Sequence, residues 1–507
     1  MANNSIVKNS FILVIRTVIT SFFGLITVPF ALAALGQTSF GLYAVLGSIV
    51  SISSLFSGAL TVITYRFITI ETGKGVKGDV NKIFNICFIL HLSFSIFVLI
   101  LSLVLGSFYI KNYLNLGSVN ISDVLFVFYV STFSAMCSII FTPFQGVLFA
   151  NEEFSFLSIS AIIQSGLNFI IAMIVNYYFI NKLVVYSILM SINTILPYIA
   201  HVIFVKLKYP DFVRFSLKFD KVRFFEIFNF GKWSVFGTLS SYSEIYFPQV
   251  LINYFFGPQL NSAFGIASQI NNVIKSIALS INNATIPQIM KSFSNGNTRR
   301  TFRLTIFSSK FVYFALFLIT FPILLNTKYV LEIWLNDVPD FTVIFLQILL
   351  INSLISFSIA GFPSMIQAHG SIKNYMLISS LLTLSGFPIS FFFYYLKYNP
   401  QVLLYTYTLI CIIQSLLVPF LARKVIYFRI KALFSSLFKR IFLVTIPMIP
   451  LFFIINMFEE GFLRFIMFSV VSAIFFLILV IALGISKHER VHFQRYFHNK
   501  LKIKSLS

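Results

Sequence analysis

Long apolar runs alternate with short polar or basic segments along nearly the whole chain. A helix of about 20 apolar residues crosses the ~30 Å hydrocarbon core of a bilayer. Runs near that length, bounded by charged and turn residues, cover 11–35, 40–65, 83–108, 123–149, 157–179, 184–205, 228–255, 261–288, 304–326, 342–366, 376–396, 401–421, 441–457 and 462–483. The pattern predicts an all-α, polytopic membrane protein with about 14 transmembrane helices.

Two of the breaks between runs are short and contain glycine. One is Gly36-Gln37-Thr38 and the other is Gly257-Pro258-Gln259. Glycine and proline at such breaks favour tight turns. We therefore expect each of these pairs of runs to form a helical hairpin.

The composition supports the same class of protein. The chain has 507 residues, of which 58% are hydrophobic and only 10% are charged. A soluble protein could not hide that much apolar surface in one core. Its solvent is therefore largely lipid.

The distribution of basic residues predicts the orientation. Of the 37 lysines and arginines, 28 fall in one set of alternate loops and termini, 4 in the other set, and 5 within the runs. Basic loops stay in the cytoplasm, so both termini are predicted to be cytoplasmic in a bacterial inner membrane. The +22 charge then faces anionic membrane lipids and does not indicate nucleic acid.

Two linkers suggest how the helices are grouped. Residues 209–227 and 422–440 mix basic and apolar side chains, which favours amphipathic helices on the cytoplasmic surface, although they could be merely basic linkers. A short repeat, Phe40-Gly41-Leu42-Tyr43-Ala44 and Phe264-Gly265-Ile266-Ala267-Ser268, begins at corresponding places in two halves. The predicted division is an N-terminal six-helix bundle in 1–208, the linker 209–227, a second six-helix bundle in 228–421, the linker 422–440, two additional transmembrane helices in 441–483, and a basic cytoplasmic tail in 484–507.

Two charged residues lie near the middle of consecutive apolar runs. Glu244 and Lys275 are each more than about 15 Å from either end of their run, so neither side chain easily reaches water. Because the two runs are antiparallel, an ion pair between them is plausible. We interpret the polar surface around them as the lining of a wet cavity; the alternative is a structural contact between helices. The candidate lining residues are Tyr242, Gln269, Asn271 and Asn272.

Other basic residues lie nearer to the membrane surface. Arg16 lies about a turn and a half into the first run, and Arg66 lies at the inner end of the second run. With Lys275 they would make the cavity cationic, which suits an anionic amphiphile such as a phosphate or pyrophosphate headgroup. The remaining basic residues within runs can extend to a headgroup, and we expect them to do so: Lys232, Lys310 and Arg464.

The sequence contains no motif of a soluble catalyst. It lacks a phosphate-binding loop, a nucleophile elbow and a zinc-protease motif. Its three cysteines have no metal-like spacing. The longest outer loops, roughly 109–122 and 326–341, are too short for a catalytic domain, which argues against a membrane glycosyltransferase. We expect neither enzyme activity, nor a cofactor, nor a metal.

Several diffuse motifs resemble those of the Wzx-type polysaccharide repeat-unit flippases, within the multidrug/oligosaccharidyl-lipid/polysaccharide exporter superfamily. They are Pro29 with Gly36 and Phe40-Gly41-Leu42-Tyr43, Phe144-Gln145-Gly146-Val147-Leu148-Phe149-Ala150-Asn151-Glu152, Phe230-Gly231-Lys232-Trp233, and Glu332-Ile333-Trp334-Leu335. The resemblance covers nearly the whole chain.

The resemblance implies two pseudo-symmetric six-helix bundles that work by alternating access. The implied cargo is an undecaprenyl-pyrophosphate-linked oligosaccharide, such as an O-antigen or capsular repeat unit, moved from the inner to the outer leaflet with ion coupling. The implied cavity is lined by the first, second, seventh and eighth helices, which hold Arg16, Arg66, Glu244 and Lys275. Glu244 is then the best candidate for proton coupling.

Other functions remain open at this point. Two helices beyond the twelve resemble the MurJ-type lipid II flippases, and a MATE-like multidrug antiporter is a third possibility. A membrane glycosyltransferase is the alternative from another class. A polysaccharide polymerase is a possible partner.

Overall fold

A computed structural model describes residues 2–53, 55–73, 78–177, 181–216, 220–335, 337–369, 373–455 and 457–485. Within these ranges the regular structure is helical, with no strand. Most of the predicted basic tail, 486–507, lies outside the described residues. An all-α membrane protein is confirmed as the fold class.

The helices follow one another with short connections. They are α1 Ala2–Ser53, α2 Leu55–Gly73, α3 Val80–Leu101, α4 Ser107–Asn112, α5 Ile121–Ala150, α6 Phe154–Val175, α7 Lys182–Lys208, α8 Lys221–Phe256, α9 Pro258–Ser294, α10 Thr298–Leu325, α11 Thr327–Trp334, α12 Thr342–Phe357, α13 Gly361–His369, α14 Lys373–Tyr395, α15 Val402–Arg423, α16 Ile430–Leu433, α17 Lys439–Thr445, α18 Ile449–Ile455 and α19 Phe462–Leu479. Single π-helical turns join α3 to α4 and α16 to α17.

The number of membrane spans is the part of the fold prediction that the structure does not confirm. Among the described residues, ten helical segments are long and apolar enough to cross a membrane, or eleven if the pair α12 and α13, bent by 42°, is one span. The predicted runs 228–255 and 261–288 form the long helices α8 and α9. Helix α9 is not among the ten because it carries many polar residues.

Both glycine turns occur where the sequence predicts them. Gly36 interrupts α1 with a φ of 73° and a ψ of 164°, so that α1 is two helices joined at a kink. Gly257 separates α8 from α9 with a φ of 87°. Glycine adopts positive φ without the steric cost that a β-carbon brings. These residues therefore interrupt the helical geometry with almost no loop, and the two helical hairpins stay a prediction.

The chain divides into two compact units. The first comprises residues 1–273, 335–346 and 376–410, and the second comprises 274–334, 347–375 and 411–507. In the first unit, apolar clusters form between α2, α3 and α5, and between α1, α5 and the α4 region. In the second unit, α10 is the most enclosed candidate span, with 61% of its apolar window buried. The predicted six-plus-six-plus-two division stays a prediction.

The linker after α7 is not the separate surface helix that the sequence predicts, as far as its residues are described. A single 3-10 turn, Pro210–Phe212, is followed by residues without regular structure, and α8 begins at Lys221. The segment is held against α3: Asn81 Nδ2 donates to the Arg214 carbonyl at 2.7 Å, and the Ser216 N–H donates to Asn85 Oδ1 at 3.0 Å. The Ser216 N–H, bound in this way, is not available for a helical hydrogen bond.

Charged side chains hold both ends of the same linker. Lys82 pairs with Asp220 at 2.5 Å, and Asp220 Oδ1 accepts from the Arg223 N–H at 3.0 Å as the cap of α8. At the other end, the Glu153 carboxylate accepts hydrogen bonds from Lys208 and Tyr209. Desolvation opposes ionisation of this carboxylate, but the two hydrogen bonds and the Lys208 charge outweigh it and lower the pKa of Glu153.

The second linker also differs from its prediction. Residues 424–425 form a turn, residues 426–429 have no regular structure, and helical structure resumes at Ile430. From there it runs through the π-helical turn Phe434–Phe438 into α17, within the candidate span Ile430–Ile455. The basic and aromatic residues thus begin a membrane-length helix, because the apolar pattern continues without a break from one segment to the next.

Candidate functional site

The predicted cavity residues lie on α1, α2, α8 and α9. Within the first unit, Arg66, Glu244 and Asn272 are exposed, Asn271 is buried at 3% exposure, and the others are half-buried: Arg16, Tyr242 and Gln269. Lys275, which belongs to the second unit, is also half-buried. These residues therefore lie on accessible or partly accessible helix faces, apart from Asn271.

Gln269 brings α9 close to α1. A β-carbon at Gly24 would lie 3.1 Å from Nε2 of Gln269. Arg16 lies eight residues before Gly24, or about 12 Å along a helix. Gln269 therefore faces α1 about two helical turns from the level of Arg16.

The region around Glu244 is rich in tyrosine. The rings of Tyr242 and Tyr246 lie 5.2 Å apart, and the Tyr407 hydroxyl donates to the Ser243 carbonyl at 3.3 Å. This bond ties α8 to α15. Glu244 and Lys275 belong to different units, and the ion pair between them stays a prediction.

A polar cluster that the sequence analysis missed lies between α2 and α5. The Tyr65 hydroxyl donates to Gln145 Oε1 at 2.8 Å, and its ring stacks on Phe149 at 4.6 Å between centroids, with 18° between planes. Arg16 and Tyr198 are both close enough to interact electrostatically with the Tyr65 hydroxyl. We call Arg16, Tyr65, Gln145 and Phe149 the Tyr65 platform.

A glycine makes this cluster possible. A β-carbon at Gly146 would lie 2.9 Å from Thr64 Cγ2 and 3.1 Å from Ile68 Cδ1, so α2 and α5 meet closely there. The sequence did carry a signal, because Gln145 and Phe149 belong to one of the motifs that support the family resemblance. They are four residues apart and share one helix face.

The ends of the helices opposite the basic loops pack closely within the first unit. Asn253 is fully buried; its Oδ1 accepts from the Asn115 N–H at 3.0 Å, and its Nδ2 donates to the Asn115 carbonyl at 3.3 Å. Asn261 Nδ2 donates to the Gly41 carbonyl at 3.0 Å. These bonds join α8 and α9 to the first half of the chain.

Lys310 does not extend to a headgroup as the sequence predicts. It is 1% exposed, inside the second unit. Next to it, Ser308 Oγ donates to Asn282 Oδ1 at 3.0 Å, and the Gly361 N–H donates to Ser309 Oγ at 3.0 Å. The prediction for Lys310 is wrong because α9 and α13 cover this part of α10, which hydropathy alone could not reveal.

Lys232 and Arg464 are the other two basic residues that the sequence predicts to extend to a headgroup. The Lys232 side chain lies outside the part of the chain whose side chains the structure describes. The Arg464 guanidinium donates to the Phe458 carbonyl at 2.7 Å, at the end of α19 where the sequence places a membrane surface. Its extension to a headgroup stays a prediction.

The described residues contain no group of histidine, cysteine, aspartate and glutamate side chains that could hold a metal ion. A cavity of about 620 Å³ lies beside the first linker. It is separate from the predicted cationic cavity, since none of the predicted site residues lines it. Carboxylates, lysines and amides form most of its lining: Asp79, Asn81, Lys82, Asn85, Ser216, Asp220 and Lys221.

Comparison with models of known protein families shows which family this chain belongs to. The model of the polysaccharide biosynthesis protein family matches residues 6–293, more than half of the chain. The chain belongs to this family. No curated protein matches its sequence.

Solved structures similar to this member of the polysaccharide biosynthesis protein family are transporters. A lipid II flippase MurJ in an inward closed conformation matches with a TM-score of 0.71 and 15% identity, covering 92% of this chain and 97% of that chain. An inward-facing multidrug resistance MATE family transporter of the MOP superfamily matches with a TM-score of 0.65 and 14% identity, covering 81% and 93%. A MOP superfamily transporter from Pyrococcus furiosus matches at 0.58 and 15%, covering 85% and 96%. The fold is therefore similar to that of the MurJ and MATE transporters.

Proposed function

We propose that this protein is a flippase that moves an undecaprenyl-pyrophosphate-linked oligosaccharide from the cytoplasmic to the periplasmic leaflet. The observation that carries the proposal is the match to the polysaccharide biosynthesis family over 6–293, on a transporter fold. The cargo is an O-antigen or capsular repeat unit, and transport proceeds by alternating access coupled to an ion gradient.

The proposed substrate contacts divide by chemistry. Arg16, Arg66 and Lys275 hold the pyrophosphate, since guanidinium and ammonium groups form strong charge-assisted bonds with phosphate oxygens. Glu244 couples transport to the ion gradient or pairs with Lys275. The polar side chains bind sugar hydroxyls by hydrogen bonds: Tyr242, Gln269, Asn271 and Asn272.

The proposed function has a direct test in proteoliposomes. The purified protein is reconstituted with a fluorescent undecaprenyl-pyrophosphate-linked repeat unit, and a membrane-impermeant reagent measures how much reaches the other leaflet. We expect faster exchange than in liposomes that contain no protein. A rate no faster than in empty liposomes, with or without an imposed ion gradient, would contradict the proposal.

The proposed contacts are tested with single substitutions in the same assay. We expect Arg16→Ala and Lys275→Ala each to lower the exchange rate at least tenfold, with normal amounts of protein in the membrane. Arg464→Gln is the control, since its side chain donates to the Phe458 carbonyl of its own segment at 2.7 Å. Normal exchange by both alanine variants would contradict the cationic cavity.

Glu244 needs an experiment of its own. Glu244→Gln is expected to abolish the dependence of transport on the ion gradient while binding persists. If Glu244 instead pairs with Lys275, the double exchange Glu244→Lys with Lys275→Glu restores activity that each single exchange removes. A gradient response and activity unchanged in Glu244→Gln would exclude both roles.

We further propose an inner-membrane location with both termini in the cytoplasm, supported by the bias of the basic residues. Fusions of a reporter that is active only in the periplasm test this orientation. Joined after residue 208 the reporter should be inactive, and joined at Lys397 it should be active. The opposite pattern would contradict the orientation.

A polysaccharide polymerase that receives the flipped unit is the proposed partner, testable by cross-linking in the membrane.

A lipid II flippase is the second candidate, favoured by the similarity to MurJ over 92% of this chain. The proteoliposome assay distinguishes the two when lipid II replaces the repeat unit. Loss of the gene separates them in cells: loss of surface glycan with normal growth supports the first proposal, and lethal accumulation of lipid II supports the second. Export of cationic dyes would favour a multidrug antiporter.

A further inference from the structure

The Tyr65 platform presents hydrogen-bonding groups that the described protein leaves unused. Gln145 uses its Oε1 to accept from Tyr65, while its Nε2 donates to nothing in the part of the chain that the structure describes. The Arg16 guanidinium likewise forms no hydrogen bond or ion pair with a described residue. Both side chains are half-buried. A guanidinium and an amide with free donors, held partly out of water, are suited to an oxygen-rich ligand.

The platform also has an accessible apolar part. Phe149 is 39% exposed, although it stacks on Tyr65 and meets the edge of Phe154 at 5.4 Å. The face of an aromatic ring carries partial negative charge, which attracts the polarised C–H groups of a sugar. An aromatic ring beside an amide and a hydroxyl can therefore contact both the C–H face and the hydroxyls of one sugar ring.

The position of the platform fits the loading end of the transport path. Phe149 lies one residue before the end of α5 that leads to a basic loop, and Tyr65, near the middle of α2, stacks on it. Arg16 lies on α1, within electrostatic range of Tyr65. A phosphate held by Arg16 and a sugar held by the ring and amide could therefore belong to the same ligand.

We propose that the Tyr65 platform is a binding subsite for the sugar directly attached to the lipid pyrophosphate. Arg16 binds the phosphate, Gln145 and Tyr65 hydrogen-bond to hydroxyls of that first sugar, and Phe149 packs on its apolar face. This inference rests on the proposed function and assigns the first sugar to the N-terminal helices α1, α2 and α5.

Two soluble probes test the subsite with the full-length protein in nanodiscs. One is farnesyl pyrophosphate and the other is N-acetylglucosaminyl-pyrophosphoryl-farnesol, and calorimetry measures both affinities. We expect Gln145→Leu and Phe149→Ala each to weaken binding of the sugar probe about tenfold and to leave farnesyl pyrophosphate unchanged, since a lost hydrogen bond or contact of this kind is worth about one factor of ten. Arg16→Gln should weaken both probes.

Matched variants control for structural damage. The control for Phe149→Ala is Phe126→Ala, because Phe126 lies on the same helix and is 44% exposed. The second control is Tyr405→Phe, which removes a hydroxyl from a tyrosine that is 50% exposed on α15. Both should bind the two probes like the wild type. Equal losses for both probes in Gln145→Leu and Phe149→Ala, or no loss for either probe, would overturn the subsite.

The wild-type affinities separate this inference from the proposed function. Wild-type protein that binds both probes with equal affinity would contradict the sugar subsite alone. Wild-type protein that binds neither probe would contradict the proposed function, and the subsite with it. Tighter binding of the sugar probe, lost in Gln145→Leu and Phe149→Ala, supports the subsite.

Discussion

A β-carbon at Gly41 would lie 1.8 Å from the carbonyl oxygen of Pro258 and 3.1 Å from the backbone nitrogen of Ser262. Real β-carbons do not approach so closely, and the nearest atoms are backbone, which cannot rotate away as a side chain can. The contact between α1 and the start of α9 therefore requires glycine at position 41. If this end opens during transport, Gly41 and Pro258 must part and meet again in every cycle.

Gly41→Ala should weaken this closed contact. Forcing a methyl group into a filled space costs about 1–3 kcal/mol, so we expect a lower thermal unfolding temperature in detergent and a lower exchange rate in proteoliposomes. Gly47→Ala on the same helix is the control, because no described residue from another part of the fold lies within 4 Å of the position that its β-carbon would occupy. Alanine favours a helix over glycine by about 1 kcal/mol, so Gly47→Ala should be neutral or stabilising. Equal behaviour of the two variants would contradict the role of Gly41.

Asn253→Leu should destabilise the protein through lost hydrogen bonds. Asn253 is fully buried and bonds both backbone groups of Asn115. Leucine would leave the Asn115 N–H without its acceptor, at a cost of about 1–3 kcal/mol. Chemical unfolding in mixed micelles measures the loss. Asn112→Leu is the control, since Asn112 is exposed and bonds only the Phe108 carbonyl of its own helix; it should change the free energy of unfolding by less than about 0.5 kcal/mol.

The burial of Lys310 can be measured by thiol labelling. In a background with Cys87, Cys137 and Cys411 replaced by alanine, Lys310→Cys should resist a membrane-impermeant maleimide in the folded protein and react after unfolding in detergent. Lys328→Cys should react at once, because the Lys328 side chain is 62% exposed. Rapid labelling at position 310 would mean that the side chain reaches the membrane surface, as hydropathy predicts.

The charge at Asp220 should stabilise the first linker in a pH-dependent way. A hydrogen bond from Lys82, then one from the Arg223 N–H, lowers the pKa of Asp220 below its ordinary value. A depressed pKa contributes stability above the unfolded value of about 4, and that contribution disappears as the pH falls through the folded pKa. Asp220→Asn keeps a capping oxygen but removes the charge, so it should be less stable than the wild type at pH 7, and the difference should shrink as the pH is lowered below about 4.

Thermal unfolding between about pH 3 and pH 8, a range that spans the ordinary carboxyl pKa, measures this difference. Asp211→Asn is the matched control, because Asp211 is 75% exposed and pairs with Arg214 three residues away. Exposed pairs of this kind contribute little, so Asp211→Asn should follow the wild type at every pH. A constant difference between Asp220→Asn and the wild type across the whole range would show that the charge of Asp220 is not the cause.

Local patterns in the sequence are enough to identify the class of protein and to place most helices. Hydropathy is local, so a run of apolar residues predicts a span whatever surrounds it. The turns at Gly36 and Gly257 are equally local, since positive φ favours glycine. Polar residues within α8 and α9 can likewise be recognised from the local pattern as candidates for the cavity lining. Which of them bind a substrate stays a prediction.

The contacts between distant side chains are known only from the folded chain. Lys310 is buried because α9 and α13 cover α10, and the segment around Arg214 and Ser216 is held against α3 because Asn81 and Asn85 bind its backbone. Tyr65 and Gln145 are 80 residues apart, and their contact depends on the close approach of α2 and α5. Hydropathy records how much each segment avoids water, but contacts between distant segments depend on packing, which no local pattern contains.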